Sequence, residues 1–335
     1  MVLTKEYRGS VLENDHHGRI CIMDYSGKII YSLGNVGALT YYRSTSKPIQ
    51  ILPTLCYGLD QRYHLEGQEI AVMASSHAGE DIHLKALLSI MDKIGVTEQE
   101  LIMLPTYPAK EVDKNRMIEQ HLPPRKVLHN CSGKHLSLMM LARHIGNYAP
   151  CAHKNYWQID CPAQKEVRQI VSQMSSYPYN KIRIGVDGCG VPVFAVPMPN
   201  MCLSYLRLAC PELVEDSSVR KQVEKITHLF NMYPDYTSGT NDLTSVLNAD
   251  FNIMAKNGAQ GVYCFALKKE KISVAIKMED SLARSWTFVV AEILRQLNYS
   301  NKQTIQNIDN LASPIIYNDN QIEVGITKTC FNINK

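Results

Sequence analysis

The chain has 335 residues, 45% hydrophobic and 20% charged, which is enough to bury a sizeable core and excludes disordered, collagen-like and disulfide-framework classes. Lys plus Arg number 35 against 32 for Asp plus Glu, a net charge of +3, so no positive field makes nucleic acid a natural partner. The first residues, Met1 to Glu6, lack a basic start followed by an apolar stretch, and no run approaches the ~20 apolar residues of a membrane span. A cytoplasmic protein is expected. Ten cysteines, scattered without a C-x-x-C pair, read mostly as small core residues kept as thiols. The sequon Asn130-Cys131-Ser132 falls in a segment with other chemistry, which also favours the cytosol.

The chain opens with β character. Tyr7 to Leu12, Arg19 to Asp24 and Lys28 to Leu33 are rich in β-formers, and Asp24-Tyr25-Ser26-Gly27 supplies a turn, so an antiparallel meander is expected. From Pro48 to about Phe230 helical periodicity takes over. Leu84, Leu87, Leu88, Met91 and Ile94 recur at three and four, and Thr97 to Glu100 fits a capping box. Strands return at Gly261 to Leu267 and Ile272 to Met278 with hairpin spacing. A helix over Ser281 to Asn298 follows, with Trp286, Val289, Val290, Ile293, Leu294 and Leu297 on one side, and Ile322 to Ile326 gives a last strand. No repeat or low-complexity tract interrupts the chain. The expected architecture is one α/β (α+β) domain over 1–335, with a sheet region at roughly 1–45 and 255–335 and a mainly helical region at roughly 46–254.

Ser44-x-x-Lys47 puts an amine one helical turn from a hydroxyl, and Pro48 suits only the start of such a helix. A serine hydroxyl needs a base to become a nucleophile, and a neutral lysine is one solution. Bringing that lysine from ~10.4 to ~7.5 takes about 4 kcal/mol, obtainable from burial and neighbouring cations such as Arg43, which also has the fork to bind a carboxylate. An ordinary helix start explains the same pattern. Ser75-Ser76-His77 before a helix is a second candidate, with an N-cap as the alternative. Lys256-Asn257-Gly258 precedes the strand from Gly261; it differs in its middle residue from the Lys-Thr-Gly of penicillin-recognising serine enzymes, whose Ser-Asp-Asn triplet is absent.

Cys131 stands where a helix begins, with Ser132 placed to cap it, and the helix dipole favours its thiolate. Cys189 lies between two glycines with Asp187 close by. Together the cysteines suit a zinc site, for which residue type alone nominates His129 or His135 as the nitrogen donor; two buried structural cysteines are the alternative.

Taken in order, Arg8 to Glu13, Arg43 to Gln50, Ser76 to Glu80, His129 to His135, Asp187 to Pro192 and Gly258 to Val262 resemble the rhizobial-type L-asparaginase family, also called asparaginase II or thermolabile asparaginase. The resemblance implies a serine β-lactamase and glutaminase-like fold, a homodimer, and hydrolysis of L-asparagine to L-aspartate and ammonia. It further implies two serine-lysine tandems, Ser44 with Lys47 and Ser76 with Lys256, with Ser44 as nucleophile. Zinc would be held by Cys131, Lys134 and Cys189, and Arg43, His135 and Asp187 would contact substrate. Two departures stand out: Ser281 where glycine is expected, and a changed residue within Ser76 to Gly79. Another S-x-x-K hydrolase, such as a glutaminase or β-lactam hydrolase, and a catalytically silent zinc- or amino-acid-binding protein are the alternatives.

Overall fold

The structure, a computed structural model, describes residues 1–147, 154–280 and 283–333. Its strands are β1 (Val2–Arg8), β2 (Val11–Met23), β3 (Ile29–Leu33), β4 (Leu39–Tyr41), β5 (Arg183–Val186), β6 (Pro192–Pro197), β7 (Ile253–Asn257), β8 (Val262–Leu267), β9 (Ile272–Met278), β10 (Ile315–Tyr317) and β11 (Glu323–Thr329). The main sheet runs β10-β11-β1-β2-β9-β8-β7, antiparallel throughout, with β3 also paired to β2. Both termini therefore build one sheet, as the segment pattern predicts.

Several boundaries differ from the pattern. Tyr7 to Leu12 is not one strand: Arg8 pairs with Val11, and Gly9, at φ +56°, turns the chain between β1 and β2. β2 is long because it serves two neighbourhoods, β1 along Val11 to His17 and then β9 and β3 from Gly18 onward. Lys256 does not merely precede a strand but sits on β7, a strand of its own paired to β8. A separate three-stranded sheet, β4-β6-β5, takes β5 and β6 from the stretch expected to be mainly helical and β4 from the region before it. In the C-terminal part, helices Ala283–Gln296 and Lys302–Asp309 cover the sheet, and the last strand begins one residue later and runs longer than expected. The start of the expected Ser281 helix, and Ser281 itself, lie outside the described residues.

Alternation along the strands divides the core into two layers. Ile20, Ile22, Tyr263, Phe265, Val274 and Ile276 face a layer with Val289, Val290, Ile293 and Leu294 from the C-terminal helix. Cys21, Met23, Cys264, Ala266 and Ala275 face the other layer, which includes Met198, Met201, Cys202 and Tyr205 of helix Met198–Ala209. β8 is buried on both faces, which is why it reads as an unbroken apolar run. On β7, Met254 belongs to the second layer, so period two turns Lys256 the same way, toward the helical region.

Helix Ser132–Ile145 lies deep in that region against helix Gly67–Met73. A Cβ on Gly133 would sit 2.3 Å from Val72 O, so only glycine permits this approach. The close packing places the Cys131 end of one helix beside the Ala74 to Glu80 loop that leaves the other. Of the described cysteines all are free, and six are buried.

Candidate active site

Four separate segments meet at the site. The first is the turn after β4, where Arg43–Ser46 forms a 3-10 turn that continues as Lys47–Gln50, with Pro48 in the first turn. Tyr42 N–H bonds Phe194 O at 3.0 Å, Thr45 Oγ1 donates to Tyr42 O at 2.7 Å, and Tyr205 Oη donates to Thr45 O at 2.7 Å. These bonds fix Ser44 and Lys47 between the small sheet and helix Met198–Ala209. Arg43 takes a left-handed φ of +50°, an uncommon conformation for a side-chain-bearing residue.

The second segment is the loop Ala74 to Glu80. Its Ser76 is not an N-cap, since Glu80 caps helix Asp81–Ile94 in a box with His83. The third is β7 with Lys256, and the fourth the start of helix Ser132–Ile145. There Cys131, not Ser132, is the N-cap residue; Ser132 Oγ instead donates to Val127 O at 2.8 Å and accepts from His77 Nε2 at 2.8 Å.

Three lysines converge here, and each is buried to within 2% of full burial. Lys47 Nζ is 3.1 Å from Ser76 Oγ, 2.6 Å from Ser75 O and 3.2 Å from Asn130 O. Lys256 Nζ is 2.9 Å from the same Ser76 Oγ and 3.0 Å from Asn257 O, and also bonds Asn257 Oδ1. Ser76 is thus a hydroxyl bridged between two amines. The expected pairing of Lys47 with Ser44 is not among the hydrogen bonds, and Ser44 Oγ has no hydrogen-bond partner among the described residues. Sequence spacing put an amine near the right turn, but three-dimensional packing chose the serine of another segment.

The electrostatics follow from burial and neighbours. Burial, then the charge of Lys47, holds Lys256 well below the ordinary lysine value. Burial also lowers Lys47, less strongly because the Cys131 sulfur opposes it; the neighbouring cation that helps is Lys134, where Arg43 had been expected. Arg43 is occupied elsewhere, its Nε and Nη2 reaching Asp187 Oδ1 at 2.9 and 2.7 Å. Gly188 N–H joins the same oxygen at 2.8 Å, so among the described residues every hydrogen bond to the Asp187 carboxylate falls on Oδ1. Two expected substrate contacts are therefore first of all partners of each other.

Cys131, Lys134 and Cys189 also come together. Lys134 Nζ is 3.3 Å from Cys189 Sγ. The Cys189 thiol, hydrogen-bonded to Cys131, holds Cys131 well below the ordinary thiol value, and that bond together with burial drives Cys189 up. Of the pair, Cys131 is the one whose thiolate is favoured; its Sγ also lies 3.2 Å from Asn130 Oδ1. Burial pushes Lys134 down, but the Cys189 and Cys131 sulfurs outweigh it and raise the amine above its ordinary value. Two sulfurs and one nitrogen, converging in a buried place, match the soft N/S set that zinc takes. No group of three or more His, Cys, Asp or Glu among the described residues could hold a metal, so any such site depends on the lysine.

His135, next in the helix, is fully buried and held well below the ordinary histidine value by burial and the charge of Lys134. Its Nδ1 is 2.8 Å from Tyr156 Oη. Sequence reasoning missed Asn130 and Asn257, whose carbonyls receive the two amines, and Tyr156. Asn257 stood in plain view as the odd middle residue of the Lys-Asn-Gly triplet; the other two carry no local signal.

The site thus brings together a hydroxyl bridged by two buried amines and a cluster of two sulfurs and an amine. The sequence comparison then gives the family. The chain belongs to the L-asparaginase II family, whose model matches residues 4–329. No curated protein matches the chain. Among solved structures, a β-lactamase of Mycobacterium bovis is similar at a TM-score of 0.39 and 10% identity, over 83% of this chain and 94% of that one, a likeness too loose to bear on function.

Proposed function

We propose that this protein is an amidohydrolase of the asparaginase type, converting L-asparagine to L-aspartate and ammonia through a serine acyl-enzyme. The observation that carries the reading is Ser76 Oγ, held at 3.1 Å by Lys47 Nζ and 2.9 Å by Lys256 Nζ. Membership in the family supports the substrate class.

Counting donors sets how many protons the relay carries. Each amine has two carbonyl acceptors besides Ser76: Ser75 O and Asn130 O for Lys47, Asn257 O and Oδ1 for Lys256. An ammonium brings three N–H groups, a neutral amine two and a lone pair. With one lysine charged and one neutral, the ammonium donates its third N–H to Ser76 Oγ, and the Ser76 proton goes to the lone pair. With both charged, neither amine can accept the Ser76 proton. Lys256, the more strongly depressed, is the neutral member at rest.

Catalysis starts by shifting one proton from Lys47 through Ser76 to Lys256. Neutral Lys47 then takes the proton of Ser44, one turn away and otherwise unbonded, in a contact that forms when substrate closes the site. Ser44 Oγ attacks the carboxamide carbon, the C–N bond breaks, and ammonia leaves with a proton returned through Ser76. Water, deprotonated by the same relay, releases aspartate. Asp187 Oδ2, free of hydrogen bonds while Oδ1 binds Arg43, suits the α-ammonium of the substrate. Cys131, Lys134 and Cys189 would hold zinc, which when bound would supply a fixed positive charge for substrate positioning. The resemblance further suggests a cytoplasmic homodimer, and no helix among the described residues is long and apolar enough to cross a membrane.

The test is ammonia release from asparagine, glutamine and a chromogenic β-lactam, with mass spectrometry of the protein during turnover. Asparagine is expected to be preferred, with the acyl mass on Ser44. Retention of most activity in Ser44→Ala, or preference for either other substrate, overturns the reading.

A further inference from the structure

Tyr156 is fully buried, and its hydroxyl makes two hydrogen bonds of opposite sense. The backbone N–H of Ile102 points to it at 3.4 Å, and a backbone N–H can only donate. The phenol proton is left with one partner, His135 Nδ1 at 2.8 Å. Were Nδ1 the donor instead, the buried phenol proton would have no acceptor. Nδ1 therefore accepts, and a neutral imidazole must carry its own proton on Nε2. That atom is buried and meets no hydrogen-bond partner among the described residues. An orphaned N–H inside a core is rare, and here it belongs to the residue that follows Lys134 at the centre of the site.

We infer that Tyr156 is a positioning residue, fixing His135 as the Nε2–H tautomer so that its imidazole offers the site a hydrogen-bond donor and withholds a lone pair from any metal. The acceptor is a carboxylate or carbonyl oxygen of the substrate, and this identity rests on the asparaginase reading; the tautomer does not. The same constraint explains why the nitrogen of the cluster is the amine of Lys134 although an imidazole stands beside it.

The experiment uses full-length, metal-free protein labelled with nitrogen-15 in histidine. Long-range proton-nitrogen spectra of the parent are expected to show His135 protonated on Nε2 at neutral pH, and Tyr156→Phe to show both tautomers. Kinetics add a readout that simple loss of packing would not give. Tyr156→Phe and His135→Asn, which lose the controlled donor, should raise KM for asparagine about tenfold with kcat changed less, the effect of one hydrogen bond. His135→Gln, which places an N–H near the Nε2 position, should stay within about threefold of the parent. Protonation of His135 on Nδ1 in the parent, or an unchanged tautomer in Tyr156→Phe, overturns the inference. If Tyr156→Phe does not fold, the parent spectrum decides alone. If the parent does not hydrolyse asparagine, the functional reading falls while the spectrum still judges the tautomer.

Discussion

Lys256 and Lys134 are buried to almost the same depth, at 0% and 2% exposure, yet the protein drives their proton affinities in opposite directions. Desolvation is the first influence on both and disfavours either ammonium. What differs is the company. Lys256 lies beside the charge of Lys47, which adds to burial in favouring the neutral amine and outweighs the opposing charges of Asp242 and Cys131. Lys134 faces two sulfurs, whose charge raises its amine above the ordinary lysine value in spite of burial. Burial makes a lysine sensitive; its neighbours decide the sign. In the proposed mechanism the two regions divide the labour, one transferring protons and the other holding fixed charge or a metal.

The largest effect expected on this division is at the proposed nucleophile. Ser44→Ala should lower kcat for asparagine by about 10³-fold or more while leaving the fold intact, measured by ammonia release and circular dichroism. Lys256→Met removes the neutral amine from the relay and should cost about 10²- to 10⁴-fold in kcat with little change in KM. An equal loss in both parameters would mean that Lys256 binds substrate instead.

Stability should separate the two lysines more sharply still. In metal-free protein, Lys134→Met takes away the amine that lies 3.3 Å from Cys189 Sγ and one of the two lysines whose charge favours the Cys131 thiolate, Lys47 being the other, and should destabilise by about 1–3 kcal/mol, read from denaturant unfolding. Lys256→Met should do the reverse, raising stability at neutral pH by about 1 kcal/mol at the expense of activity. The pH dependence has a definite sign. Between the depressed folded value of Lys256 and the unfolded ~10.4, the unfolded chain binds the extra proton, so this lysine makes stability rise with pH across that window. Lys256→Met should flatten that rise. A slope unchanged by the substitution would mean that Lys256 is charged in the folded protein.

Much of this was legible in one dimension because it is local. Ser44 and Lys47, like Cys131 and Lys134, stand one turn apart at a helix start, which places them in the same neighbourhood although Lys47 bonds Ser76 and not Ser44. The β8-β9 hairpin, the apolar side of the C-terminal helix and the capping box at Thr97 were equally local, and all are present. The three-stranded β4-β6-β5 sheet was not legible, because Leu39 to Tyr41 is too short to carry a pattern and its partner lies more than 150 residues away. Nor was the strand under Lys256, whose face is set by pairing with β8 and not by its own five residues.

The sequence by itself determined which reactive groups the protein possesses, that its two ends form strands around a helical middle, and that serine and lysine recur at one-turn spacing. Tertiary structure alone decided which amine meets which hydroxyl. Ser76 is joined to Lys47 across 29 residues and to Lys256 across 180, and no periodicity reports contacts over such separations. It also decided the charge on each lysine. Proton affinity in a buried place is set by desolvation and by the groups within a few ångströms, and those groups are assembled only when the chain has folded.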